Sequence, residues 1–281
     1  MVFDDLAATE DGAPSPTTAS QEQITEIVGA DVTVAGIEVG LPVGADADLT
    51  ALPDGSPLLV GDDGVVVAPL EKEDGSVQIV FVIDGNDSPG EFEFPFEVID
   101  GAVLQVMEDG SAVYTGADGG LLLASAAPWA IDASGHEVPT HFEARGSTLV
   151  QVVEHAGAPV DYPVVADPWL GVDLFSKVWT DTYNGQLRVN ARKSAWGQGM
   201  HTPTVAGQAI FLNAGWSEVK AKAPSVTVKT TLHQQYQCHV AGGYANLAGD
   251  WNLERFRVNR TTHWSYGVAV HRCNWTTANR Y

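Results

Sequence analysis

Cysteine is nearly absent from this chain: 281 residues contain two, Cys238 and Cys273. That excludes a small scaffold held by many disulfides, and the paired short spacings of a structural zinc site are missing too. An even pair in a thiol-poor chain reads as one disulfide. Closing a loop of about 35 residues, it contributes on the order of 3 to 4 kcal/mol and points to an oxidising compartment. The competing reading is a Cys/His metal site drawing on His239 and His271, but no metal and no cofactor is assigned. Long apolar runs are lacking as well: no stretch of eighteen apolar residues occurs, so no transmembrane helix is expected. The first residues, MVFDDLAATEDGAPSPTTASQEQ, have neither a basic nor an apolar signal region. A secretory signal is therefore expected to have been removed or never to have been present.

Positive charge is what the first part lacks most. Residues 1–169 hold 2 Lys+Arg against 31 Asp+Glu, a balance of −29, while residues 170–281 hold 12 against 5, a balance of +7. The whole net charge of −22 therefore lies in the first part. Such asymmetry suggests that the two parts meet different partners or meet each other. A simpler account is a well-solvated acidic surface.

Residues 1–23 are poor in large apolar side chains and read as a flexible acidic tail. From there to Trp169 the pattern is short β-branched runs, such as Val77–Val82, and a clean alternation in Phe92-Glu93-Phe94-Pro95-Phe96. Asp-Gly recurs between the runs at residues 54, 63, 74, 84, 100, 109 and 118. That spacing fits strand plus two-residue hairpin turn, so residues 24–169 are expected to be all-β: a hairpin meander, sandwich or open barrel. Turn geometry accounts for these Asp residues, and neither Asp46-Ala47-Asp48 nor Asp62-Asp63-Gly64 has the spacing of a calcium loop.

The stretch Pro128–Pro168, ending Tyr162-Pro163-Val164-Val165-Ala166-Asp167-Pro168, resembles a segment of secreted actinobacterial proteins that precedes variable C-terminal parts. The resemblance implies a transferable leader or pro-domain, with processing in the region of Asp167, Pro168 and Trp169.

Residues 170–281 hold 14 of the 24 aromatics, six of them Trp. A helix is expected from Asp173 to Tyr183 with Leu174, Val178 and Thr182 on one stripe, ended by Asn184-Gly185. A strand is expected over Leu187–Ala191, a helix over Gly215–Ala221, and a strand at Val226 and Val228. A last helix would be capped by Thr230 or Thr231 and would bury Leu232, Tyr236 and Val240. The whole reads as a small α+β domain with one disulfide. The blocks Cys238-His239, Trp251-Asn252-Leu253-Glu254, Asn259 and Cys273-Asn274 resemble an uncharacterised family of secreted actinobacterial domains. That family implies secretion and the disulfide, and it assigns no catalytic residue.

Chemistry has to be read from single residues. No Gly-x-Ser-x-Gly elbow is present. Cys238 beside His239 would be a thiol nucleophile only if Cys273 left it reduced. Asp250 and Glu254, four apart, form a carboxylate pair if helical; otherwise Asp250 caps a turn and Glu254 pairs with Arg255 or Arg257. His239 and His271 are candidate acid/base groups. Trp251 and Trp264 with Arg255 and Arg257 are candidates for a surface that meets anionic envelope polymers. Because the cations are scattered, nucleic acid is not the expected partner. The expectation is a secreted protein whose acidic part restrains or chaperones a basic effector that binds bacterial envelope or acts against bacteria without catalysis. A zymogen-like hydrolase, or an adhesin with both parts joined, are the alternatives.

Overall fold

A computed structural model describes residues 30–44, 47–51, 55–61, 64–243, 249–263, 271 and 273–279. The chain forms two compact units, Met1–Val172 and Asp173–Tyr281. Residues 170–172 are uncharged, so the units carry the same −29 and +7. The acidic tail expected at residues 1–23 lies outside the described residues.

Unit 1 is all-β where it is described. β1 (Asp31–Val34) and β2 (Ile37–Gly40) form a hairpin. A meander follows: β3 (Asp48–Ala51), β4 (Pro57–Val60), β5 (Val66–Glu71) and β6 (Val77–Ile83). β7 (Glu91–Pro95) leaves that sheet and pairs with β13 (Thr148–Val153), which pairs in turn with β12 (Thr140–Arg145). A second meander, β8 (Val103–Val106), β9 (Ala112–Thr115) and β10 (Leu121–Ser125), returns to the large sheet, followed by β11 (Trp129–Ile131).

The unit closes with β14 (Val164–Asp167) and β15 (Trp169–Gly171), which run along successive parts of β6. Pro168 joins them, its carbonyl accepting from the Ile79 N–H at 2.9 Å. On their other side β14 pairs with β11 and β15 with β10. The last strand of the unit is thus inserted at the centre of the sheet, between the two meanders. Every residue of β6 is buried, which is why it reads as a continuous apolar run and not as an alternation. β7 does alternate: Phe92 and Phe94 point inward with Phe96 just beyond, and the first two pack on Phe81 of β6 at ring distances of 4.3 and 6.0 Å.

The Asp-Gly turns differ from the expected two-residue type. At Asp74 and Asp109 the N–H of the following glycine closes onto the carbonyl two residues before the Asp, and Gly75 and Gly110 alone take positive φ, 76° and 83°. These are three-residue loops with glycine in the left-handed bulge position. The Asp carboxylate accepts from the N–H and the hydroxyl of the next serine, Ser76 or Ser111. It acts as an Asx cap that stiffens the loop.

Unit 2 is α+β. β16 (Phe175–Tyr183), β17 (Gln186–Lys193) and β18 (Trp251–Glu254) form an antiparallel sheet in that order. Between β17 and β18 come α1 (Ala195–Met200) and α2 (Val205–Ile210), which continues through a π-helical turn, Phe211–Gly215, into α3 (Trp216–Lys222). A 3-10 turn, Pro224–Thr227, precedes α4 (Thr230–Gly242).

Two expectations are corrected here. Residues 175–183 are strand and not helix: Val178, Trp179, Thr180, Thr182 and Tyr183 are β-branched or aromatic. Asn184 and Gly185, at φ 49° and 69°, make a two-residue hairpin turn. Val226 and Val228 flank the end of the 3-10 turn because Pro224 begins it. The helix expected near Gly215 is α3, and α4 buries Leu232, Tyr236 and Val240 as expected. The disulfide Cys238–Cys273, with Cα atoms 5.6 Å apart, fastens α4 to the segment carrying buried Trp275.

Candidate functional site

The sheet of unit 2 has two chemically different faces. Val189, Ala191, Trp251 and Leu253 point into the core. Side chains alternate across a strand, so Lys177, Trp179, Asp181 and Tyr183 of β16 fall on the other face, opposite Arg192, Asn190, Arg188 and Gln186 of β17. Rings and cations interleave there. The Lys177 amine lies 5.1 Å and the Arg192 guanidinium 5.7 Å from the centre of the Trp179 ring. Arg188 lies 4.8 Å over Tyr183, and Tyr183 meets Phe256 at 5.9 Å. Arg257 lies 4.9 Å over Phe256. Tyr183 is 44% exposed, while Trp179 and Phe256 are half-buried.

Carboxylates orient the guanidinium groups. Asp181 accepts two hydrogen bonds from Arg188, at 2.8 and 2.6 Å, and Asp250 accepts two from Arg192, at 2.8 and 2.9 Å. These bonds hold both carboxyls below their usual range. Solvent screens pairs of this kind, so their main effect is to fix planar cations beside aromatic rings. The result is a face that can stack on sugar rings and meet anionic groups.

The residues singled out from sequence fall in separate places. Asp250 pairs with Arg192 across the sheet. Glu254 is buried and bonds Arg257, whose other nitrogens donate to the Trp275 carbonyl and Asn274 Oδ1. Glu254 is therefore part of a buried clamp, and the alternative of pairing with Arg257 is the one observed. Arg255 is exposed, its carbonyl taken by Lys229. Trp251 is 1% exposed, which corrects its expected place on a surface. Its large ring is enclosed by Phe175, Phe211, Tyr236, His201 and His239. Trp264 lies outside the described residues. His271 is half-buried, and its carbonyl accepts from the Asn274 N–H at 2.8 Å. The four catalytic candidates thus do not converge on one reacting point.

His239 stacks on Trp251 at 5.4 Å and 11°, and burial pushes it down to about 4. Beside it lies a pair that the sequence did not suggest. Lys193 Nζ donates to His201 Nδ1 at 3.1 Å and to the Gly243 carbonyl at 3.0 Å. His201 Nε2–H donates to the Val240 carbonyl at 2.9 Å, which fixes its neutral tautomer. Burial lowers His201 to about 4 and Lys193 to about 8. With one acceptor from α4's end and one from the α1 loop, Lys193 works as a brace at a helix C-terminus.

The stretch expected to be processed, Asp167 to Trp169, lies within the sheet of unit 1. Asp167 is buried and accepts from Gln78 Nε2 at 2.6 Å, and Trp169 sits in β15 with its indole N–H on Ser76 Oγ at 2.9 Å. A protease needs an accessible extended chain, and this stretch is hydrogen-bonded within the central sheet. The first exposed residue after it is Asp173.

The interleaved face went unseen because its signal, Lys177-x-Trp179-x-Asp181-x-Tyr183 against Arg188-x-Asn190-x-Arg192, has period two and becomes visible only when 175–183 is read as strand. Comparison with protein-family models, with curated proteins and with solved structures gives no match. Among the described residues no group of His, Cys, Asp and Glu is arranged to hold a metal ion, and no helix is long and apolar enough to cross a membrane.

Proposed function

We propose that this is a secreted, non-catalytic factor in which the outer sheet face of unit 2 binds anionic polymers of the bacterial envelope, while the acidic unit 1 restrains or chaperones it. One observation carries the reading: cations and aromatic rings interleave on a single face, the pattern suited to sugars bearing phosphate or carboxylate. The −29 and +7 balances of the units support the second half, since an acidic partner competes with an acidic polymer for the same cations. The disulfide supports an extracytoplasmic setting. On this reading the chain belongs with the secreted actinobacterial proteins that its blocks resemble, and separation of the units falls at Val172–Asp173 instead of within β15.

The test is co-sedimentation of the fragment 173–281 with purified bacterial cell walls carrying phosphate-rich polymers, after circular dichroism has shown the fragment folded. Binding is expected to weaken with salt, to fall at least about tenfold in Trp179→Ala/Arg192→Ala, and to be suppressed by fragment 1–172 at low salt. Unchanged binding in that double variant, or none by the folded fragment, sinks the reading.

A further inference from the structure

The two outer strands of the unit 2 sheet are finished differently. On β18 the Glu254 N–H donates to Gln235 Oε1 at 2.9 Å, and the Glu254 carbonyl accepts from Gln235 Nε2 at 3.1 Å. A side chain of α4 thus takes the place of a further strand. On β16, α3 covers the first residue: Glu218 accepts from the Phe175 N–H at 3.1 Å, and Lys222 Nζ donates to the Phe175 carbonyl at 3.0 Å. From residue 176 to 183, no strand pairs with the outer side of β16 among the described residues. Ser176, Lys177, Thr180, Thr182 and Tyr183 are exposed there. A long unpaired edge presents a row of donors and acceptors that another chain can complete.

The hairpin fixes which groups are on offer. With a two-residue turn at Asn184-Gly185, Tyr183 and Gln186 form a hydrogen-bonded pair, and such pairs alternate along the ladder. Asp181, Trp179 and Lys177 therefore bond to β17, while Thr182, Thr180 and Val178 turn N–H and C=O outward. The far side of β17 agrees: the Leu187 carbonyl, opposite Thr182, accepts from the Arg255 N–H at 3.0 Å. An antiparallel copy of β16 fits this edge when outward-turned residues stand opposite each other.

Charge selects one register among those. With Trp179 opposite its own copy, Val178 meets Thr180, and Lys177 meets Asp181 on both sides of the centre. Lys177 and Asp181 then occupy the non-hydrogen-bonded positions, where facing side chains are closest. Within the chain the Lys177 amine rests 5.1 Å from the Trp179 ring and has no carboxylate at ion-pair distance among the described residues. Sliding one copy by two residues loses both charge pairs. Sliding it by four sets Lys177 against Lys177, or Asp181 against Asp181.

We propose that unit 2 pairs with a second copy of this chain, edge to edge along β16, so that two three-stranded sheets become one. The contact is isologous, with Trp179 on the two-fold axis. Assembly stops at two copies, because α4 already closes the β18 edge. Pairing uses backbone groups and leaves Arg188 and Arg192 open on the outer face, so it stands independently of what that face binds.

The test is sedimentation equilibrium of the full-length chain. Twice the chain mass is expected, falling to the single mass on dilution, with no larger species. Thr180→Pro removes an outward N–H and no bond to β17, and should give a monomer with the circular dichroism of the wild type. In Trp179→Cys each introduced thiol faces its own copy, so mild oxidation is expected to link two chains by a disulfide. Asp181→Cys faces Lys177 and is expected to stay unlinked. A wild-type chain of single mass at every concentration overturns the proposal. So does a dimer that survives Thr180→Pro in the folded protein, or one that links through Asp181→Cys and not through Trp179→Cys. Should Thr180→Pro fail to fold, the cross-link decides.

Discussion

Trp251 shows what a single side chain does in unit 2. Five aromatic or imidazole rings surround it, and the amine of Lys193 lies 5.7 Å from its centre, so one indole joins β18 to β16, α4 and the π-helical turn. The two histidines in that shell must stay neutral. The folded pKa of His201 is about 4 against 6.5 for an unperturbed imidazole, so the unfolded chain takes up its proton first. Stability is therefore full above about pH 6.5, falls as pH drops toward 4, and levels off below; the His201 share is on the order of 3 kcal/mol. His239 acts in the same direction. Urea unfolding at pH 7.5 and 4.5 should show a smaller acid loss in His201→Gln than in the wild type; an equal loss would contradict this assignment. The buried partners of Trp251 were not legible in the sequence, because a Trp beside Asn, Leu and Glu looks the same whether its strand faces inward or outward. Cys238 and Cys273 were legible, because two thiols admit one pairing.

At the scale of elements, the misreading of residues 173–183 has a definite cause. Leu174, Val178 and Thr182 are four apart, and four is both close to one helical turn and a multiple of two, so the same residues share a face in a helix and in a strand. Side-chain type breaks the tie, and so does Asn184-Gly185, whose left-handed φ values suit a hairpin better than a helix end. The hairpin between β16 and β17 supports the whole interleaved face, so Gly185→Ala, at φ 69°, should cost about 1 to 2 kcal/mol. Thermal unfolding checks this, and an unchanged midpoint would show that the turn does not govern the hairpin. In unit 1 the periodic Asp-Gly steps did announce turns and their spacing. They did not announce the bulge type, which depends on the serine two residues after Asp74 and Asp109 closing the Asx bond. Nor did local pattern reveal that β14 and β15 enter the sheet centre, since strand order is set by contacts distant in sequence.

At the scale of the whole molecule, the change in charge and the structural division coincide at residues 170–172, and the disulfide belongs to unit 2 alone. Two unfolding transitions are expected. Reduction should lower the stability of unit 2 by roughly 3 to 4 kcal/mol and leave that of unit 1 unchanged. Calorimetry with and without reductant reads this directly, and a shift of both transitions would show that the units unfold as one.

The central position of β14 and β15 bears on how the chain responds to load. A pull on unit 1 from Val172 acts on a strand bonded on both sides, to β6 and to β10 and β11. An edge strand in that place would unzip one bond at a time along a single ladder. Here two ladders resist together, so tension entering unit 1 at Val172 would load both at once.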